Sequence, residues 1–331
     1  KNLIVYIVSA MSLLTACDAL DITPSDSYSD PVVWQDQNLI KMFVNDQYGA
    51  LVGQDNFYRY SFFSDEVYQK YNDEGCNYVR ENILTSDNIG AVGEILHFWK
   101  AGYKYIHNTN TFFTNIETAK VDEDFKKTMI GEMKFIRAFI YFRLIRSYGG
   151  IPIIEDAYDI NSDWSDVKRN TYDECVDYII KDLNDVIATL PDQPGERNRA
   201  SANAARALKS RVLLYSASAL NNPENKKEKW QLASDAAKDL FDKGYALCDN
   251  YREMFLDVAN SEYIYAKEFS ETYSHALGFN LACTGDGGRG WSTPSQNLVD
   301  AYETLEGEIP VLNSKSGEVN PNSMYNPEKP Y

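Results

Sequence analysis

The chain has 331 residues, enough for one large domain or two smaller ones. Its 49 acidic and 32 basic residues leave a net charge of −17, which argues against nucleic acid and anionic lipid headgroups as direct partners. Three histidines supply little for a histidine-based metal site, and no two of the five cysteines (17, 76, 175, 248, 283) have C-x-x-C spacing, so neither a metal nor a cofactor is expected.

The predicted elements follow in chain order. Residues 1–16 read as a lipoprotein signal peptide. Lys1 is basic, and the mostly apolar run 3–14 is too short to span a bilayer, which takes about 20 residues. Leu14-Thr15-Ala16-Cys17 is a lipobox, with Cys17 expected to be the lipidated N-terminus. In an ordinary cleaved signal the cysteine would be incidental, and the leucine three positions before it argues against that. A lipid anchor attaches a chain to a membrane without spanning it. Residues 17–35, rich in Ser, Asp and Pro, read as a tether. With no initiator methionine, the sequence is expected to start just inside a precursor.

A first helix is predicted over 36–51, with Leu39, Ile40, Phe43, Val44, Tyr48 and Leu51 inward. Residues 67–90 are polar, carry Tyr68, Tyr71 and Tyr78, and read as a long loop of the kind that often bears function. A second helix is predicted over 91–118, with Trp99, Tyr103, Ile106, Asn110, Phe113 and Ile116 at spacings of three and four. A third, capped by Asp122 or Asp124, is apolar on more than one face, so it should be surrounded by other helices. Phe139 and Phe142 are expected inside it. Its charges, Glu132, Lys134, Arg137, Arg143 and Arg146, must be paired or reach solvent. Gly149-Gly150 should end this helix, and Ile151-Pro152 should leave it extended. Thr171 and Glu174 form a capping box for a fourth helix that Leu190-Pro191 stops. Ser201 caps an alanine-rich fifth, and a sixth runs from near 228 to 244. Six successive helices with short or medium connections suggest a tetratricopeptide-like solenoid, or else an irregular bundle. Beyond 250, residues 261–266 suggest a short strand, and 284–291 form a glycine-rich loop without the Gly-Lys-Ser/Thr of a phosphate loop. Cys76, Cys175, Cys248 and Cys283 are expected to be buried thiols, although their spacing leaves pairing open.

Several of these stretches resemble one family. They are Leu20-Asp21-Ile22-Thr23-Pro24 after the lipobox, Ser64-Asp65-Glu66, the Trp99 to Asn110 pattern, FIRAFIYFRLIRSYGGIPI (135–153), and the run from Thr293-Pro294-Ser295-Gln296 to Tyr302-Glu303. In this order they are similar to the SusD/RagB family of Bacteroidetes outer-membrane nutrient-binding lipoproteins, and the likeness covers 14–310. The resemblance implies a mainly α, tetratricopeptide-like helical-pair scaffold over 36–331, with irregular loops and few short strands. It implies an outer-membrane, cell-surface lipoprotein that binds oligosaccharides for import by a SusC-like TonB-dependent transporter. Members usually continue past the equivalent of Tyr331, so truncation at the C-terminus is expected.

The same scaffold could capture peptides instead. A catalytic lipoprotein such as a glycoside hydrolase is the third reading. Gly-x-Ser-x-Gly and His-Glu-x-x-His are absent, and carboxylates are too abundant for any pair to mean much, so no enzyme is expected. His97 and His107 read as structural or solvent-exposed. Sugars present flat CH faces rimmed by hydroxyls, which suit aromatic rings beside planar polar groups. The candidate ligand residues are therefore Tyr68, Tyr71, Asn72, Tyr78, Arg80, Arg289 and Trp291. Each could instead only pack locally. Trp291 is expected to face solvent near 67–90, with the glycines around it leaving space.

Overall fold

The computed structural model describes residues 30–51, 58–70, 75–92, 97–158, 161–196, 198–257, 259–272, 277–303 and 307. In chain order the elements are α1 (Asp30–Val33), α2 (Gln37–Gln47), β1 (Val67–Gln69), α3 (Cys76–Arg80), α4 (Trp99–Ile116), α5 (Glu123–Tyr148), α6 (Tyr172–Thr189), α7 (Ala202–Ala217), α8 (Lys227–Lys238), α9 (Tyr251–Leu256), α10 (Leu277–Leu281), β2 (Ser292–Pro294) and α11 (Gln296–Asp300). Helix packs on helix in sequence: α4 on α5, α5 on α6, α6 on α7, α7 on α8. This is the mainly α scaffold the sequence predicts.

The caps explain where the helices start. The Asp122 carboxylate accepts from the Phe125 amide at 2.9 Å, and the Ser201 hydroxyl from the Ala204 amide at 3.1 Å. Thr171 and Glu174 form the reciprocal box. Gly149 ends α5 at φ 70°, a backbone that favours glycine, and a Cβ on Gly150 would meet the Asn170 carbonyl at 2.1 Å.

Helix α5 is the axis of the core. Met133, Ile136, Ile140, Tyr141, Leu144 and Ile145 are all buried on it. Its charges are resolved one by one. Lys134 pairs with Asp185 at 2.6 Å. Arg137 donates twice to Asp182, both bonds 2.8 Å, and lies 4.3 Å from the Phe113 ring centroid. Arg143 donates to the Ala50 carbonyl and lies 3.6 Å from the Phe98 centroid. Glu132 accepts from the Tyr48 hydroxyl and pairs with Arg199. Arg146, at the end of the helix, is exposed. Tyr141 fixes the extended segment after Pro152: its hydroxyl donates to the Ile154 carbonyl at 3.1 Å and accepts from the Ile154 amide at 2.9 Å.

Several boundaries differ from expectation. The first helix ends at Gln47 in a 3-10 turn, Tyr48–Ala50. The second begins at Trp99, and 89–92 is 3-10. The sixth ends at Lys238. Phe142 is buried, but Phe139 is only half-buried. Its side of the helix carries exposed Arg146 two turns on, where the cover has run out. Residues 261–266 form no strand; Tyr265 instead packs on Phe135. The stretch expected to be one long loop contains β1 and α3. Strand β1 pairs antiparallel with β2, with Val67 opposite Pro294, Tyr68 opposite Thr293 and Gln69 opposite Ser292. No disulfide joins Cys76, Cys175, Cys248 or Cys283; the first two are buried as expected, whereas Cys248 is half-buried and Cys283 exposed.

Candidate functional site

A small module stands apart from the main core. Its own cluster consists of Phe62, Cys76 and Trp291, with Phe63, Val67 and Leu281 packed around them. The 3-10 turn Tyr58–Phe63 packs against both β1 and α3. The glycine-rich loop after α10 folds back on that helix. The amides of Arg289, Gly290 and Trp291 donate to the carbonyls of Phe279, Ala282 and Asn280 at 2.8, 2.8 and 2.9 Å. A Cβ on Gly288 would meet the Ala282 carbonyl oxygen at 2.2 Å. The absence of a side chain there allows close backbone approach rather than space around the indole. Trp291 is thus only 7% exposed and is a core residue of the module, not a solvent-facing platform. It does lie beside the 67–70 segment, since its carbonyl accepts from the Lys70 amide at 3.0 Å.

The outer surface of this module is where exposed rings meet guanidinium groups. Tyr68 is 60% exposed, and the Arg80 guanidinium carbon is 5.0 Å from its ring centroid. Arg289 lies 5.0 Å from the Trp291 ring and 5.2 Å from that of exposed Phe279. Arg146 reaches over from the end of α5 to Tyr60, 6.0 Å from the ring centroid, and donates to its hydroxyl at 3.2 Å. Tyr78 is half-buried, and its carbonyl accepts from the Ile83 and Leu84 amides, which organises the turn after α3. The structure therefore brings Tyr68, Arg80, Arg289 and Trp291 into one module, with Trp291 beneath its surface. Tyr71, Asn72 and Cys17 lie outside the described residues. Tyr60, Arg146 and Phe279 were missed by sequence reasoning, because nothing local links them to a strand pairing that closes across the chain.

A second concavity, about 240 Å³, is lined by Trp99, Tyr103, Tyr158, Trp164, His107 and Asp156 among others. Tyr158 and Trp164 pair with centroids 4.5 Å apart. Its wall is mostly apolar, and the Tyr103 hydroxyl is already committed to the protein. Tyr103 donates to the Pro152 carbonyl at 2.8 Å, and behind the wall buried Asn110 donates to the Ile154 and Asp156 carbonyls at 2.8 and 3.1 Å. Burial pushes the Tyr103 hydroxyl well above the ordinary tyrosine value, so it stays protonated. This cleft offers rings and methyl groups with few hydrogen-bonding partners. A third cleft, of about 330 Å³, is lined by Asn45, Tyr48, Arg199, Tyr265 and Lys267, and two of its polar groups are held by buried Glu132. Among the described residues, no group of three His, Cys, Asp or Glu is arranged to hold a metal ion.

The described residues thus form a helical scaffold carrying a small two-stranded module with rings and guanidinium groups on its face. The family described as "Starch-binding associating with outer membrane" matches residues 18–214, and the chain belongs to this SusD-like family. A SusD-like protein of Formosa agariphila, P2, is 25% identical over 259 residues, covering 74% of this chain and 50% of its own. The crystal structure of a SusD-like protein from Bacteroides fragilis superposes with a TM-score of 0.72 at 26% identity, covering 89% of this chain and 58% of that one. A laminarin-binding SusD-like protein superposes with a TM-score of 0.55 at 23% identity, covering 69% and 50%. The chain thus spans about half the length of the relatives it matches.

Proposed function

We propose that this chain captures oligosaccharides at the outer face of the outer membrane and hands them to a SusC-like TonB-dependent transporter. In this reading residues 1–16 are a signal peptide, Cys17 carries the lipid, 17–35 are a tether, and the tetratricopeptide-like scaffold over 36–331 holds the module away from the membrane. The family and the laminarin-binding neighbour support a glycan as the ligand class. The observation that carries the reading is Tyr68. A largely exposed ring beside a planar donor, Arg80, is what a pyranose needs, with a flat apolar face for its CH groups and N–H groups for its hydroxyls. The Trp99–Trp164 cleft supplies the first and little of the second.

Two experiments test this. Tyr68→Ala should leave the melting temperature unchanged and weaken oligosaccharide binding by about 1–3 kcal/mol in calorimetry, as loss of other aromatic stacking contacts does. Unchanged affinity would remove Tyr68 from the site. Binding of peptides but not of glycans would favour the peptide-capturing alternative, and turnover of a glycan by pure protein would favour an enzyme. Cys17→Ala should move the protein from the membrane fraction to the soluble fraction. Retention in membranes after a high-salt wash would refute the lipid anchor.

A further inference from the structure

We propose that the oligosaccharide taken by this face is anionic, carrying the carboxylates of uronic acids or ester sulfates. The inference rests on the glycan-capture reading and adds the charge of the ligand. Several arginines of the helical scaffold spend their N–H groups on protein acceptors, though among the described residues exposed Arg211 on α7 does not. Arg137 pairs with Asp182, Arg199 with Glu132 and Arg206 with Asp192, and Arg169 donates to the Gly150 and Tyr148 carbonyls. Three exposed arginines lie against rings of the module, one of them, Arg146 of α5, also donating to the Tyr60 hydroxyl. Arg80 lies on Tyr68, Arg289 on Phe279 and Trp291, and Arg146 on Tyr60. Among the described residues none of the three pairs with a carboxylate.

Acidic residues are close in sequence. Asp65 and Glu66 precede β1, Glu81 follows Arg80, and Asp286 precedes Arg289. Yet Asp65 accepts from the Asn297 amide group, and Asp286 from the Cys283 thiol. In a chain with 49 carboxylates against 32 cations, two guanidinium groups on the module and a third reaching it from α5, all without carboxylate partners among the described residues, are a capacity for anions. A guanidinium carbon 5.0–5.2 Å from a ring centroid, as in Arg80 and Arg289, leaves the group charged and near the surface. Its N–H groups lie in the guanidinium plane, where they can grip a carboxylate or sulfate through two parallel bonds. The net charge of −17 opposes an anionic ligand only at long range, because at physiological salt the screening length is about 8 Å. At contact distance the arginines attract the ligand and the neighbouring carboxylates oppose it, so the arginine variants are the direct test.

The test is calorimetry on the intact chain with three probes. A galacturonic acid hexamer carries carboxylates only, a carrageenan hexamer carries sulfates only, and laminarihexaose is neutral. At least one anionic probe should bind tenfold or more tightly than laminarihexaose, and its affinity should fall as salt rises. Which probe does so identifies the anionic group. Arg80→Gln and Arg289→Gln should each weaken that binding by about tenfold at an unchanged melting temperature. Lys238→Gln, on α8, should leave it unchanged. Laminarihexaose binding as tightly as both anionic probes, or equal losses from all three variants, would overturn the anionic reading and leave glycan capture standing. No binding of any probe would count against both.

Discussion

Replacing Asp182 by alanine is expected to lower the free energy of unfolding by about 3–5 kcal/mol. Asp182 lies on α6 and is 2% exposed; its partner Arg137 lies on α5. The pair joins the two helices through two 2.8 Å bonds, and the guanidinium is also enclosed by the rings of Phe113 and Tyr178. Both ions were desolvated at a cost that only their mutual attraction offsets. The alanine variant leaves the Arg137 cation buried without its counter-ion, and that uncompensated charge is the source of the loss rather than the bond itself. Replacing the pair together, as Arg137→Met with Asp182→Leu, should therefore restore much of the stability lost by Asp182→Ala alone. Urea unfolding at constant m-value measures both variants. A loss below about 1 kcal/mol for the single variant would show that the pair behaves as a solvated surface bridge.

Trp291→Ala is expected to weaken the β1–β2 module by about 3–5 kcal/mol, the usual cost of truncating a buried aromatic side chain. The effect should be local first. Trp291 belongs to a cluster separate from the helical core, so the module can open while α4 to α8 stay folded. Hydrogen exchange of the Lys70 amide, which donates to the Trp291 carbonyl, should accelerate well before the amides of α5 do. Oligosaccharide binding should fall only in proportion to the open fraction and recover on cooling. An unchanged exchange rate together with lost binding would mean that the indole touches ligand directly, against its burial.

The contrast between these two residues shows what could be read from the chain. The α5–α6 region is written in local signals. The caps at Asp122 and Thr171, the glycines at 149–150 and the many-sided apolar pattern of α5 act over one or two turns, and they place the helices within a few residues. The need of Arg137 for a partner was legible, but which acid supplies it was not, because Asp182 is only one of many acidic residues in the chain. The module was illegible for another reason. Its two three-residue strands are joined across a separation of 225 positions, and neither is long enough to show an alternating pattern. Residues 67–90 therefore read as loop, and 261–266, where tyrosine and isoleucine are denser, read as strand. The glycines around Trp291 suggest open space, whereas Gly288 is the point where backbone meets backbone.

The central claim is that ligand engages the outer face of the module. Hydrogen exchange of the intact chain, with and without a saturating oligosaccharide that binds it, tests this most directly. The account predicts protection over 67–70, 76–81 and 289–294, with the amides of 99–107 and 152–167 unaffected. Protection confined to 99–107 and 152–167 would place the ligand in the Trp99–Trp164 cleft and contradict it.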